Sequence, residues 1–232
     1  MEQQTLTTEN PLLQSLIHEG AARLNGGLNQ VELTVGQILF EAHTPIDSIY
    51  FPEDSMVSLM SVDEEGSTIE VAAIGHEGVA GISALLDHNT VPYRAVVQAA
   101  GRAWQIPLQP VKALFEERPE FRKKALKYLH KNIVEIAQSG ICNCVHSLEQ
   151  RLARWLLSYQ DRTGESSFPY THEFLAAMLG TRRESITQRL RRFQKLQWIR
   201  NSRGNVTIIN RDQLEKMACE CYSMIRSQYQ KL

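Results

Sequence analysis

Apolar residues in the first half of the chain come in short blocks. "VELTVGQILFEA", "SIYFP", "SMVSLMSV", "STIEVAAIG" and "YRAVVQAAGRAWQIP", within residues 31–108, are rich in Val, Ile, Tyr and Phe. Gly, Pro and Asp separate them. Such blocks predict the strands of an antiparallel roll or barrel. "DEEG" at 63–66 reads as a hairpin turn, and "EGVAGISALL" at 77–86 as a short helix inside the roll.

The period then changes from two to about three and a half. From Pro119, the residues Phe121, Ala125, Tyr128 or Leu129, Asn132 and Ile136 recur as on a helix, thickened by Ile133 and Val134, with no break before Gly140. Proline suits a first helical turn. A helix this long needs a partner of similar length, and a second copy of the chain is the favoured one. A further helix follows in "SLEQRLARWLLSYQDRTG", opened by a Ser147/Gln150 capping box, ended by Gly164, and buried through Leu148, Leu152, Trp155 and Leu156. "WIRNSRGNVTIIN" (198–210) predicts a hairpin turning at Arg203-Gly204-Asn205, and "RDQLEKMACECYSMIRSQYQ" one last helix.

Between these lies "THEFLAAMLGTRRESITQRLRRF" (171–193), two helical runs around Gly180. Phe174, Leu175, Met178 and Leu179 give the first an apolar face. Thr181 with Glu184 predicts a capping box for the second. Ile186, Leu190 and Phe193 lie at i, i+4 and i+7 and must face inward. That turns Glu184, Gln188, Arg191 and Lys195 outward, with Arg183 and Thr187 at the margin. A helix pair around a glycine turn is the helix-turn-helix arrangement, whose second helix enters the DNA major groove N-terminus first. Arginine can grip guanine, glutamine can pair with adenine, and glutamate can accept from cytosine.

Charge sharpens this picture. The 232 residues carry a formal net charge of −1, which conceals a split. Residues 1–100 hold two basic and fourteen acidic residues, whereas the rest holds 23 basic and 12 acidic. Residues 172–203 alone carry eight basic and two acidic, the concentration that phosphate attraction requires. No apolar run reaches the roughly 18 residues of a membrane span, and the N-terminus lacks a signal-peptide pattern, so a cytoplasmic location is expected.

The four cysteines form two C-x-C pairs, Cys142/Cys144 and Cys219/Cys221. This is not the C-x-x-C spacing of common zinc sites, so they read first as buried or incidental thiols and second as a metal or redox site, with no metal or cofactor assigned. The absence of H-x-H and of a paired-carboxylate motif argues against an enzyme on the roll.

These segments resemble the Crp/Fnr superfamily of bacterial transcription regulators. The resemblance rests on "GQILFEAHTPIDSIYFPEDSMVSL", "SLEQRLARWLL" and, most specifically, "THEFLAAMLGTRRESITQRLRRFQKLQWI". It implies an α+β chain: an N-terminal antiparallel, jelly-roll-like β-roll sensor (1–117), a long dimerisation helix with hinge (118–145), and a C-terminal winged helix-turn-helix (146–232). It further implies a homodimer on a palindromic double-stranded DNA operator, with RNA polymerase as a further partner. Thr171, Arg182, Arg183, Glu184, Thr187, Gln188, Arg191 and Arg203 are the expected DNA contacts. Arg183 and Glu184 match the family's recognition helix, Thr187 stands for its serine, and Gln188 replaces its final arginine.

The sensor departs further from the family. In members that bind cyclic nucleotides, a glutamate meets the ribose and an arginine the cyclic phosphate. Here Ile82 stands in the glutamate's place, and Arg94 falls one residue late, leaving it the single candidate for an anionic ligand. No cysteine precedes Cys142, which disfavours the iron–sulfur sensing of other members. His18, His43, His76 and His88 are lone histidines, usually structural rather than haem ligands. The expected function is a regulator controlled by an unidentified signal at the roll, the alternative being a cyclic-nucleotide-responsive regulator or a ligand-binding signalling module.

Overall fold

The computed structural model describes residues 8–20, 24, 27–86, 89–202 and 204–229. It opens with a helix that the strand pattern did not announce, α1 (Pro11–Gly20). Leu12, Leu13 and Leu16 bury one side of it in the core. Asn10 fixes its start: Oδ1 accepts from the Leu13 amide at 3.0 Å, while Nδ2 donates to the Gly78 carbonyl at 2.7 Å. One side chain thus caps the helix and ties it to the roll.

Seven strands follow: β1 (Asn29–Leu33), β2 (Ile38–Phe40), β3 (Ser48–Pro52), β4 (Met56–Val62), β5 (Thr68–Ile74), β6 (Tyr93–Ala99) and β7 (Gly101–Pro107). They pair antiparallel in two sheets, ordered β1-β7-β3 and β2-β6-β4-β5. The roll is therefore the predicted one. Gly66, at φ +83°, closes the hairpin between β4 and β5, and a 3-10 turn (Ile82–Leu86) supplies the short helix. Inward-facing Ile49, Phe51, Val57, Leu59, Ala72 and Ile74 fill the space between the sheets.

Helix α2 (Leu108–Glu117) leads to Arg118, whose extended backbone precedes Pro119. Helix α3 (Pro119–Val145) runs 27 residues, passing through Gly140 instead of stopping there. A glycine in a helix interior costs about 1 kcal/mol relative to alanine. Burial of Ser139 and Cys142 on either side of it holds the helix to the protein. The buried face also differs from the apolar stripe expected. Phe121, Ala125, Tyr128 and Asn132 are buried, but the stripe continues through Glu135, Ser139 and Cys142 and leaves Ile136 37% exposed.

Helix α4 (Leu148–Thr163) carries the predicted capping box, Ser147 with Gln150, and ends at Gly164 in the left-handed conformation. Strand β8 (Ser167–Pro169) joins β10 (Asn205–Ile208) and β9 (Ile199–Ser202) in a sheet ordered β8-β10-β9, flanking α5 (His172–Met178) and α6 (Arg183–Lys195). The predicted hairpin is present, although Arg203 at its turn lies outside the described residues. The single final helix is two: α7 (Arg211–Met217) and α8 (Cys221–Tyr229). Ala218 is extended between them, and the break lets Cys219 and Cys221 turn under α3 and bury against Cys142. Cys144 is exposed. No helix among the described residues is long and apolar enough to cross a membrane.

Candidate nucleic-acid interface

The turn between α5 and α6 is built by backbone chemistry. The Thr181 amide donates to the Ala176 carbonyl (3.0 Å) and the Gly180 amide to that of Ala177 (3.3 Å). Gly180 sits between them at φ +54°. This is the Schellman closure of a helix, in which a left-handed residue satisfies the last carbonyls. It corrects one expectation. Thr181 gives its amide to the closure of α5, and α6 begins one residue later than a Thr181 cap requires, with Arg182 as N-cap and no side-chain cap bond. The first amides of α6 are thus left without a side-chain acceptor, as suits a helix start that meets an anion.

A Cβ on Gly180 would also stand 2.7 Å from Cδ1 of Ile69 in β5. Gly180→Ala is expected to lower stability by about 1–2 kcal/mol, from left-handed strain on a non-glycine residue. Urea unfolding reads this, and an unchanged midpoint would contradict the turn geometry.

Ile186, Leu190 and Phe193 are fully buried, as their spacing required. Arg182, Arg183, Glu184, Gln188, Arg191 and Lys195 are exposed together on the outer side. The arginines of α6 divide into two groups. Arg189 and Arg192 reach back to Glu149 of α4, at 3.4 and 2.7 Å, and lock the helix in place. Among the described residues no ion pair engages Arg182, Arg183 or Arg191.

Two further expected contacts have structural duties. Thr171 caps α5, its Oγ1 accepting from the Phe174 amide at 3.1 Å. Thr187 Oγ1 donates to the Arg183 carbonyl (3.0 Å) and lies 2.8 Å from Nδ1 of His172, whose Nε2 lies 3.1 Å from Asn201 in β9. The chain Thr187–His172–Asn201 joins both helices to the wing. Sequence reasoning missed it because its members touch only after folding. Arg151 of α4 adds a bond to the Leu179 carbonyl at the end of α5.

The head is also fastened to the rest of the molecule. Arg162 of α4, buried, donates through Nε to Glu77 at 2.8 Å and through Nη2 to Glu135 of α3 at 3.2 Å. Glu135 accepts from the Ala73 amide (3.2 Å), and Tyr170 donates to the Gln98 carbonyl (3.0 Å). Nearby, burial pushes the Glu70 carboxyl up to about 7, opposed by a hydrogen bond from Ser58 and by Arg154. A carboxyl raised on folding favours the native state while protonated, and that stabilisation fades as pH climbs from about 4.5 to 7. The expected loss is of order 3 kcal/mol at 1.36 kcal/mol per pH unit. Glu70→Gln should flatten the stability profile over that interval. A profile unchanged in the variant would refute the assignment.

In the roll, Ile82 is buried and Tyr93 faces the core, its hydroxyl 3.3 Å from Ser83. Strand alternation sends Arg94 to the opposite face, where its Nε lies 3.3 Å from Glu41.

Comparison with known proteins agrees with this arrangement. Residues 30–118 match the cyclic nucleotide-binding domain and residues 150–217 the Crp-like helix-turn-helix domain. The chain is similar to the transcriptional regulator SdrP of Thermus thermophilus, 24% identical over 75% of this chain and 85% of that protein. It is likewise 24% identical to the global nitrogen regulator of Synechococcus elongatus, over 88% of this chain and 96% of that one. In fold it resembles a Crp/Fnr-family transcriptional regulator of Eubacterium rectale, with TM-score 0.73, 20% identity, and coverage of 90% of this chain and 98% of the other. With a cyclic nucleotide-binding domain and a Crp-like helix-turn-helix domain matched in order along one chain, the protein belongs to the Crp/Fnr superfamily of DNA-binding transcription regulators.

Proposed function

We propose that the protein is a homodimeric regulator that reads a palindromic operator with α6 and is controlled by a signal at the β-roll. One observation carries the reading: Arg182, Arg183, Glu184, Gln188 and Arg191 are exposed together above a fully buried anchor. In the groove, Arg183, Glu184 and Gln188 face base edges, while Arg182 and the uncapped start of α6 face phosphates. Thr171 and, from the wing, Arg203 complete the phosphate contacts. Thr187 acts mainly by holding His172.

The outer face of α3 supports the dimer. Leu126, Ile133 and Ile141 are 46, 64 and 55% exposed and fall on one stripe opposite the buried side. Pairing two such stripes would bury them and set two α6 helices about 34 Å apart, one turn of DNA. The hinge is His146–Ser147, extended between α3 and α4 and just beyond the 118–145 segment expected to contain it, because α3 stays helical through Val145. The acidic β4–β5 hairpin lies across a groove from Arg182 and Ser185, so phosphate approach favours a head moved away from it. A signal that shifts the population between two head positions would then set affinity. An anionic effector would have to draw Arg94 from Glu41. RNA polymerase is the further partner proposed on family grounds.

Selection of bound sites from random duplexes tests the reading directly. An inverted repeat is expected, and recovery of no shared sequence would overturn it. Ile133→Glu is expected to yield monomers by ultracentrifugation and to lose operator binding. A variant that stays dimeric would remove α3 as the interface.

A further inference from the structure

Four side chains distant in sequence converge where α3 meets the C-terminal pair of helices. The ligand-capable atoms of Cys142, His146, Cys219 and Cys221 all lie within 4.8 Å of one another. Cys142 Sγ is 3.5 Å from Cys219 Sγ, and Cys221 Sγ is 3.5 Å from His146 Nδ1. A tetrahedral zinc ion with bonds of about 2.0–2.3 Å holds neighbouring ligand atoms about 3.3–3.8 Å apart. The spacing therefore suits a single ion. An iron–sulfur cluster, which places each ligand on a different iron, needs a wider set.

The surroundings fit as well. The other imidazole nitrogen, Nε2 of His146, lies 3.2 Å from Oε1 of Glu220. A carboxylate on the far side of a histidine fixes its tautomer, aims Nδ1 at the metal, and is a recurrent feature of metal sites. Gln138 Nε2 donates to Cys221 Sγ at 3.0 Å. Three thiolates around a divalent ion leave a net negative charge, and Arg151 and Arg154 of α4 supply nearby positive charge. The cysteines are buried, so the ion would be shielded from water.

We propose that Cys142, His146, Cys219 and Cys221 form a tetrahedral site for a thiophilic divalent cation, zinc, which clamps the end of α3 to the α7–α8 segment. Cys142 and His146 come from the last turn and the cap of α3, Cys219 from the α7–α8 break and Cys221 from the start of α8. The ion spans the hinge between the two parts of the molecule. Thiols still protonated release their protons to solvent as the metal–sulfur bonds form. Because Arg151 sits between the thiols and the Leu179 carbonyl, the state of the site reaches the end of α5. The C-x-C spacing hid the site, since one pair contributes both of its cysteines and the other only Cys142, Cys144 contributing nothing.

Elemental analysis of the full-length chain, purified without chelator, tests the proposal. One zinc per chain is expected. Cobalt added to the metal-stripped protein should give the visible bands of a tetrahedral thiolate site with sulfur charge transfer. Cys219→Ser should lose both signals and Cys144→Ser should keep both. Should Cys219→Ser fail to fold, Glu220→Gln, an exposed change, decides instead: cobalt should bind it about 10–100-fold more weakly. Sub-stoichiometric metal, absorption of an iron–sulfur cluster, a Cys142–Cys219 disulfide in protein purified under reducing conditions, or equal loss in Cys144→Ser would each overturn the proposal.

Discussion

Arg162→Ala is expected to destabilise the fold by about 3–5 kcal/mol, because it strands two buried carboxylates. Glu77 and Glu135 are 8% and 4% exposed, and both direct oxygens at this guanidinium. Glu77 follows β5 of the roll, Glu135 lies on α3, and Arg162 lies on α4, so the loss falls on the contact among all three. Chemical denaturation followed by tryptophan fluorescence measures it. Converting both glutamates to glutamine with Arg162→Met should recover much of the stability, since a neutral set leaves no uncompensated charge. A loss under 1 kcal/mol for Arg162→Ala alone would mean that water reaches the cluster.

Arg183→Ala is expected to weaken operator binding by roughly 1–3 kcal/mol and to relax preference at one base position. The guanidinium is exposed at the start of α6 and has no ion pair among the described residues, so its removal leaves the fold intact. Arg203→Ala provides the contrast. If it contacts phosphate as proposed, its loss should weaken all sequences alike and reduce the salt slope by about one. Titration of matched and mismatched duplexes at several salt concentrations separates the two. Identical behaviour of both variants would show that Arg183 does not read bases.

The arginines of α6 show where sequence reasoning stops. Their outward placement follows from Ile186, Leu190 and Phe193, a periodicity visible in the sequence. That Arg189 and Arg192 are held by Glu149 is not visible, because the glutamate stands 43 residues before Arg192. Thr181 and Glu184 have the spacing of a capping box, yet the Thr181 amide bonds back to α5 and the N-cap of α6 falls on Arg182. Ser147 and Gln150 have the same spacing without such a competitor, and there the box forms.

What the chain determines by itself is local: the strand blocks of the roll, the change of period at Pro119, the glycine turn and the apolar anchor of the basic helix. These follow from side-chain direction and backbone sterics over a few residues. What only the tertiary structure decides is which polar groups meet. Arg162 with its two glutamates, His172 between Thr187 and Asn201, and the three thiols with His146 join positions far apart in the chain. Burial in a low-dielectric interior makes such partners necessary, while the choice of partner belongs to the packing of helices and sheets.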